Sequence, residues 1–416
     1  MKDTLSQSSD ESPDGRRPGL SPRASTWLLG AILLAFLAAA SAPTPLYALY
    51  RETWGFSPTL LTLVFSIYAG GLLLALLVFG SLSDHLGRRP LIRAALAIEL
   101  LAMAVFLCAG SVQALILARL LQGFATGLAT SVLGAALLDV DRERGPLVNS
   151  VAPMLGLALG ALGSSALVQF AGEPLHRVYL VLLVLFAVFA GLLRRLPESV
   201  SPQPGALASL RPRIRIPAQA RRAFWGVAPL NASLWALGGF YLSLGPTLAR
   251  QVTGQPAPLT GGVLVFLLTA CGAVAILALR HAAAPAILRR GGLALVGGLL
   301  LTLLGVDNGS AWLFFLGTAV AGLGFGGGFL GALRSVVPLA HAHERGGLMA
   351  GFYVLSYLAF SLPAVLAGIA TQRYGLIATT NGYAASLILL ASLVLLFSLR
   401  GPARQAEAQA TACSRR

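Results

Sequence analysis

Charge is scarce in this chain. Only 11% of its 416 residues are Asp, Glu, Lys or Arg, where a soluble protein carries roughly 25%. Hydrophobic residues make up 56% and the mean hydropathy is +0.78, an apolar excess that a soluble core cannot absorb. Cysteine is almost missing. Cys108, Cys271 and Cys413 are scattered, which excludes a disulfide framework or a cysteine metal site. His341 and His343 stand close in HAHER without further ligands. No G-x-x-x-x-G-K-(S/T) loop is present, so nucleotide-driven work is disfavoured. No cluster of nucleophile, base or metal ligands marks an enzyme, and no cofactor is expected.

What is abundant is the apolar run. A bilayer core about 30 Å thick needs roughly 20 apolar residues in a helix. Twelve such runs occur, at 27–49, 59–80, 91–110, 112–138, 147–170, 178–196, 223–247, 258–280, 290–306, 311–338, 347–371 and 379–399. None alternates with period two, which favours helices over a membrane barrel. Residues 1–26, rich in Ser, Pro, Asp and Arg, read as a disordered tail. The first run ends AAASAPT, like a cleavable leader, but it exceeds 20 residues and eleven more follow, which argues for retention.

The formal net charge is +15, and its placement decides what it means. With a cytoplasmic N-terminus, only Arg51, Arg177, Arg250 and Arg373 fall outside and Arg119 falls within a span. All the other basic residues, of 30 in total, fall inside. This positive-inside bias predicts a multi-pass protein of the plasma membrane (the bacterial inner membrane) with both termini cytoplasmic. RPRIRIPAQARR at 211–222 then sets topology and meets anionic lipid, and nucleic acid is not a partner.

Six runs occupy 27–196 and six occupy 223–399, joined by a linker over 197–222 and followed by a tail over 400–416. The expected fold is therefore an all-α integral membrane protein, twelve transmembrane helices in two six-helix pseudo-repeat bundles. In duplicated transporters of this layout, substrate binds at mid-membrane between the halves.

The motifs now carry a resemblance. GSLSDHLGRRP at 80–90 matches G-x-L-(A/S)-D-x-x-G-R-(R/K), the signature loop between spans two and three of the major facilitator superfamily. LARLLQGFATG in span four resembles a second signature, R-x-x-Q-G, with Arg119, Gln122 and Gly123. GLALGALGSS in span five resembles the glycine-rich motif of the drug/proton-antiporter-like branch. That motif usually has proline after its second glycine, where Ala161 stands here. LPES after span six is common in exporter-like branches. TPLYALYRETWGFSP looks like a subgroup hallmark and assigns no substrate. The resemblance covers residues 27–399.

It implies a secondary transporter working by alternating access, with a small-molecule substrate, a proton gradient as energy source and a monomeric state. Proton-coupled export of a small, partly apolar molecule is the preferred expectation. Uptake or facilitated diffusion of a polar metabolite, or a non-transporting sensor or scaffold, stays open. The resemblance assigns a gating role to Asp84 and Arg88, with Asp139 at the end of span four as third partner. Gly80 and Gly87 would let the loop turn, and Pro363 would provide a hinge. The cavity would be lined from spans one, four, seven and ten, which offers Ser41, Thr44, Gln122, Thr126, Asn231, Trp235 and Tyr241 as substrate contacts. Each has an interhelical hydrogen bond as its alternative.

Arg119 lies about 10 Å deep in span four, and Glu99, the only acid well inside a span, lies roughly 16 Å deep in span three. A charge at such depth is costly unless paired or wetted. The two would form a structural pair, or a proton relay in which Arg119 holds the acid ionised until substrate arrives. The glycine-rich GLGFGGGFLGALR at 322–334 reads as close helix packing.

Overall fold

A computed structural model of the chain describes residues 20–212 and 214–413, with side chains as far as Leu396 except those of Pro174 and Ala342. Lys2, Arg16, Arg17, Arg213, Arg415 and Arg416, and most of the N-terminal tail, lie outside the described residues. The helices are α1 (Pro22–Ser41), α2 (Leu46–Trp54), α3 (Pro58–Phe79), α4 (Ser83–Leu86), α5 (Arg88–Leu107), α6 (Val112–Val140), α7 (Gly145–Phe170) and α8 (Pro174–Leu192) in the first half. Then come α9 (Ala206–Ser209) in the linker, α10 (Ala218–Ser243), α11 (Gly245–Thr253), α12 (Pro258–Leu279), α13 (Ala284–Asp307), α14 (Ala311–Val336), α15 (Arg345–Tyr374) and α16 (Leu376–Cys413). Eleven helices, with α1 and α2 taken as one, are long and apolar enough to cross a membrane. The pair α10 and α11, bent by 66°, is the twelfth.

Capping explains where the spans begin. The Ser21, Ser57, Ser111 and Ser310 hydroxyls accept from backbone N–H groups three residues on. Proline occupies the first turn of α1, α3, α7, α8, α11, α12 and α13, where its missing N–H costs nothing. The Ser21 cap starts the first helix five residues before its apolar run. Spans one and seven both break, and α2 and α11 each end on a left-handed glycine, Gly55 at φ 66° and Gly254 at φ 65°.

The two halves repeat one packing scheme. In the first, α1 packs on α7, α3 on α6, α5 on α6 and α5 on α8. In the second, α10 packs on α15, α12 on α14, α13 on α14 and α13 on α16. The glycines of α14 permit the close approach. A methyl group on Gly326 would collide with the backbone of Gly272 in α12, and one on Gly324 with Leu295 in α13.

The halves meet through α3 with α15 and α7 with α12. Thr59 Oγ1 donates to Gln372 Oε1 at 2.9 Å and Ser66 Oγ to the Ser361 carbonyl at 3.2 Å. Gly368 packs on Thr62, and Gly262 on Ser165. Arg250 of α11 reaches Glu52 of α2 at 3.2 Å. All these contacts lie at the end away from GSLSDHLGRRP. At the signature-loop end the halves part around a cavity of about 1110 Å³.

Gly326→Ala is expected to destabilise the purified protein, since overpacking costs about 1–3 kcal/mol. Gly297→Ala, which would meet nothing within 4 Å, is expected to be neutral or slightly stabilising. Thermal unfolding in detergent compares the two.

Candidate functional site

The floor of the cavity is built around a proline break in span one and an arginine. Pro43 has no N–H to offer the Ala39 carbonyl, and the Thr44 N–H turns to Ser41 at 3.0 Å instead of continuing the helix. The Ala39 and Ala40 carbonyls are thereby released inside the membrane. Arg119 Nη1 donates to the Ala40 carbonyl at 3.1 Å and to Gln122 Oε1 at 2.6 Å. Gln122 Nε2 donates to the Ala39 carbonyl at 2.9 Å. The guanidinium also lies 4.3 Å from the ring centroid of Tyr68 and 5.9 Å from those of Tyr47 and Phe65, attractive cation–π distances. Arg119 is 1% exposed yet lines the cavity. Its Nε has no partner.

Glu99 lies behind this layer. It is fully buried, Oε1 stands 3.5 Å from Gln122 Nε2, and Oε2 has no partner. The expected Glu99–Arg119 pair is therefore indirect. Among the described residues no ion pair joins them, and Gln122 stands between, with its oxygen toward the cation and its nitrogen toward the acid.

The walls are aromatic. Trp235 lies 4.8 Å from Tyr357, 5.9 Å from Phe360 and 6.0 Å from Phe329, ring centroid to centroid, and Phe65 lies 4.9 Å from Phe360 across the halves. All five line the cavity with Tyr68, Tyr353 and Phe325. Of the seven substrate contacts expected from sequence, the structure places Trp235 alone on the wall. The other six turn inward. Ser41 Oγ donates to the Leu157 carbonyl at 2.8 Å, Thr126 Oγ1 to the Gln122 carbonyl at 2.8 Å and Asn231 Nδ2 to Ser356 Oγ at 2.8 Å. Tyr241 OH lies 3.2 Å from Thr318 Oγ1, Gln122 serves Arg119, and Thr44 is buried in the helix break. The reason is physical. A polar group at membrane depth is satisfied by its own helix or a neighbouring one, which leaves the apolar faces to form the void.

At the cavity mouth the signature loop folds on itself. Arg88 Nη1 contacts Asp84 Oδ1 and Ser83 Oγ, each at 2.5 Å, and Arg88 Nε donates to Asp139 Oδ2 at 2.9 Å. The expected triad of Asp84, Arg88 and Asp139 thus comes together within one half. Gly87 adopts φ 94°, a conformation that requires glycine here. Gly80, in contrast, is helical, and its carbonyl accepts from Ser131 Oγ at 2.8 Å. Pro363 sits within α15, which runs through it unbroken.

Sequence reasoning missed Glu198. Its carboxylate accepts from the Arg88 and Arg89 N–H groups at 2.8 and 2.9 Å, capping α5 and clamping the end of the first half to the signature loop. LPES carried the signal, but nothing in one sequence says which helix end its acid meets. The rings of α15 were not expected because the resemblance points to spans one, four, seven and ten as the cavity lining.

Two pseudo-repeated six-helix bundles around a cavity at membrane depth define a multi-pass membrane transporter. The family model described as Major Facilitator Superfamily matches residues 28–327, and the chain belongs to that family. It is 34% identical over 139 residues to "Multidrug transporter MdfA" of Yersinia pestis bv. Antiqua (strain Angola), and to the proteins of that name from strains D106004 and D182038. The match covers 32% of this chain and 33% of each relative, so the chain spans about a third of their length. Its fold resembles a mutant of nucleoside transporter NupG (TM-score 0.69, 14% identity) and the human organic anion transporter MFSD10 (TM-score 0.62, 21% identity). Each comparison covers 90% of this chain and 99% of the other. At these identities the likeness is one of fold.

Glu198→Ala is expected to lower the stability of the purified protein by about 1 kcal/mol through loss of the α5 cap. A double-mutant cycle with Asp139→Asn, read by thermal unfolding, is expected to show coupling, since both acids hold Arg88.

Proposed function

We propose that this protein is a proton-driven exporter of small, partly apolar molecules, working by alternating access in the bacterial inner membrane as a monomer with both termini cytoplasmic. The carrying observation is the aromatic cavity, which opens at the signature-loop end and is floored by a single buried guanidinium. Aromatic walls bind flat or apolar bodies without a demanding hydrogen-bond pattern. The distribution of basic residues supports a cytoplasmic position for the open end. The partial likeness to a protein named as a multidrug transporter supports export.

Asp84 is the proposed latch. Its side chain is 59% exposed, and it lines the mouth opposite Arg345, Gly346 and Gly347, where α15 begins. Closure at this end would bring its carboxylate to the free N–H groups of α15, a favourable charge–dipole contact. Arg88 and Asp139 hold the loop that presents it. Pro363 provides a place for α15 to bend as the halves rock.

Proteoliposomes with an imposed pH gradient test the proposal across a panel of aromatic compounds. Inward proton flow is expected to accelerate export several-fold. Transport indifferent to the gradient would refute the coupling. Asp84→Asn is expected to slow turnover about tenfold while leaving equilibrium binding of the compounds within twofold.

A further inference from the structure

The cavity holds an arginine at its floor, and Asp84, the only acid among the described residues of its lining, is committed to Arg88 at the mouth, where His85 and His343 also lie. A proton-coupled carrier needs a group that gains and loses a proton as substrate leaves and enters. We propose that Glu99, one layer behind the wall, is that group, and that Gln122 and Arg119 report substrate occupancy to it. This rests on the proton-coupled reading above and deepens it.

Three features carry the assignment. Glu99 is 0% exposed, and one carboxyl oxygen has no partner, an arrangement that a purely structural acid would avoid. Gln122 is oriented as a connector, its amide oxygen on Arg119 at 2.6 Å and its amide nitrogen 3.5 Å from Glu99. Arg119 has an unpartnered Nε, reaches the cavity, and forms no ion pair among the described residues. The other titratable groups around this layer are phenols: Tyr68 of α3, Tyr47 of α2, and the Tyr50–Tyr179 pair of α2 and α8, whose hydroxyls hydrogen-bond at 3.0 Å. Among the described residues of the helices around this layer, the carboxylate of Asp139 in α6 is held by Arg88 at the cavity mouth. Glu52 of α2 reaches Arg250 in the other half.

The coupling follows from solvation. While the cavity is empty, water reaches the guanidinium and satisfies its charge, and Glu99 stays a neutral carboxylic acid in its apolar surroundings. An uncharged aromatic substrate on the cavity floor expels that water. The charge of Arg119 then has only the Glu99 carboxylate, through Gln122, to balance it. The Glu99 O–H bond breaks, the proton passes to cavity water, and the carboxylate remains. Substrate and proton therefore exclude one another, which is the requirement for exchange. The sign depends on substrate charge. An anion would neutralise Arg119 itself and leave Glu99 protonated.

The test uses the full-length protein in detergent, weakly buffered, with a pH-sensitive dye in solution. The probe is N-phenyl-1-naphthylamine, uncharged and fluorescent in apolar sites, and its anionic counterpart is 1-anilinonaphthalene-8-sulfonate. The wild type is expected to release close to one proton per bound neutral probe and none with the anion. Glu99→Gln is expected to bind the neutral probe and release none. Glu99→Asp, a second variant that keeps the carboxyl, is expected to restore release with a displaced pH midpoint. Gln122→Leu is expected to bind the probe and release at least threefold less. If the wild type binds the probe without releasing protons, the proton-coupled reading fails and this one with it. If the wild type and Glu99→Gln release equally, coupling stands and Glu99 is excluded.

Discussion

A guanidinium buried at membrane depth without a carboxylate against it is the constraint on which the rest of this structure depends. Such a charge costs several kcal/mol unless protein or water solvates it. Here the solvation comes from a defect in a neighbouring helix. Pro43 breaks span one, and the Ala39 and Ala40 carbonyls left free at the break accept from Gln122 and Arg119. Three aromatic rings cover the faces of the cation. Its Nε has no partner. The position of the break in span one, the rings of α2 and α3 and the depth of the cavity are thus parts of one solution to one electrostatic problem.

Around that floor the protein has one closed end and one open end. The halves meet through small residues, a few hydroxyl hydrogen bonds and apolar contacts such as Phe65 with Phe360. The one ion pair between them among the described residues, Glu52 with Arg250, has its acid side chain 64% exposed. A pair so exposed contributes about 0–1 kcal/mol. The ion pair therefore adds little to the closure, which rests on helix packing. At the opposite end the signature loop is rigid within its own half, held by Arg88 and Glu198, and free toward the other half.

Much of the fold was legible in the sequence because the bilayer forces it. Helices must be about 20 residues long, polar linkers must lie outside, and basic residues sort by side. The twelve spans follow from these limits, as does membership of the family from the spacing of Asp84, Gly87 and Arg88. The Asp84–Arg88–Asp139 cluster was legible because two of its members are four residues apart and the third closes a span on the same side. The cavity lining was less legible. Polar residues such as Ser41, Asn231 and Tyr241 were expected to face substrate, but in lipid they serve as interhelical hydrogen bonds. Trp235 was expected on the wall, but Phe329, Tyr357 and Phe360 beside it look like ordinary apolar residues in a row of letters. Glu99 and Arg119 were visible as isolated charges. That Gln122 separates them depends on side-chain direction across three helices, which spacing along one chain does not specify.

Pairs of spin labels on the two ends of the protein test the central claim, alternating access around the Arg119 floor. Labels at Thr53 and Gln251, on the exposed faces of α2 and α11, report the closed end, and labels at Arg142 and His281 report the open end. In liposomes, a shift in pH together with a transported compound is expected to lengthen the first distance and shorten the second. A change of both distances in the same direction, or an Arg142–His281 distance that stays fixed under every condition that supports transport, would contradict the account.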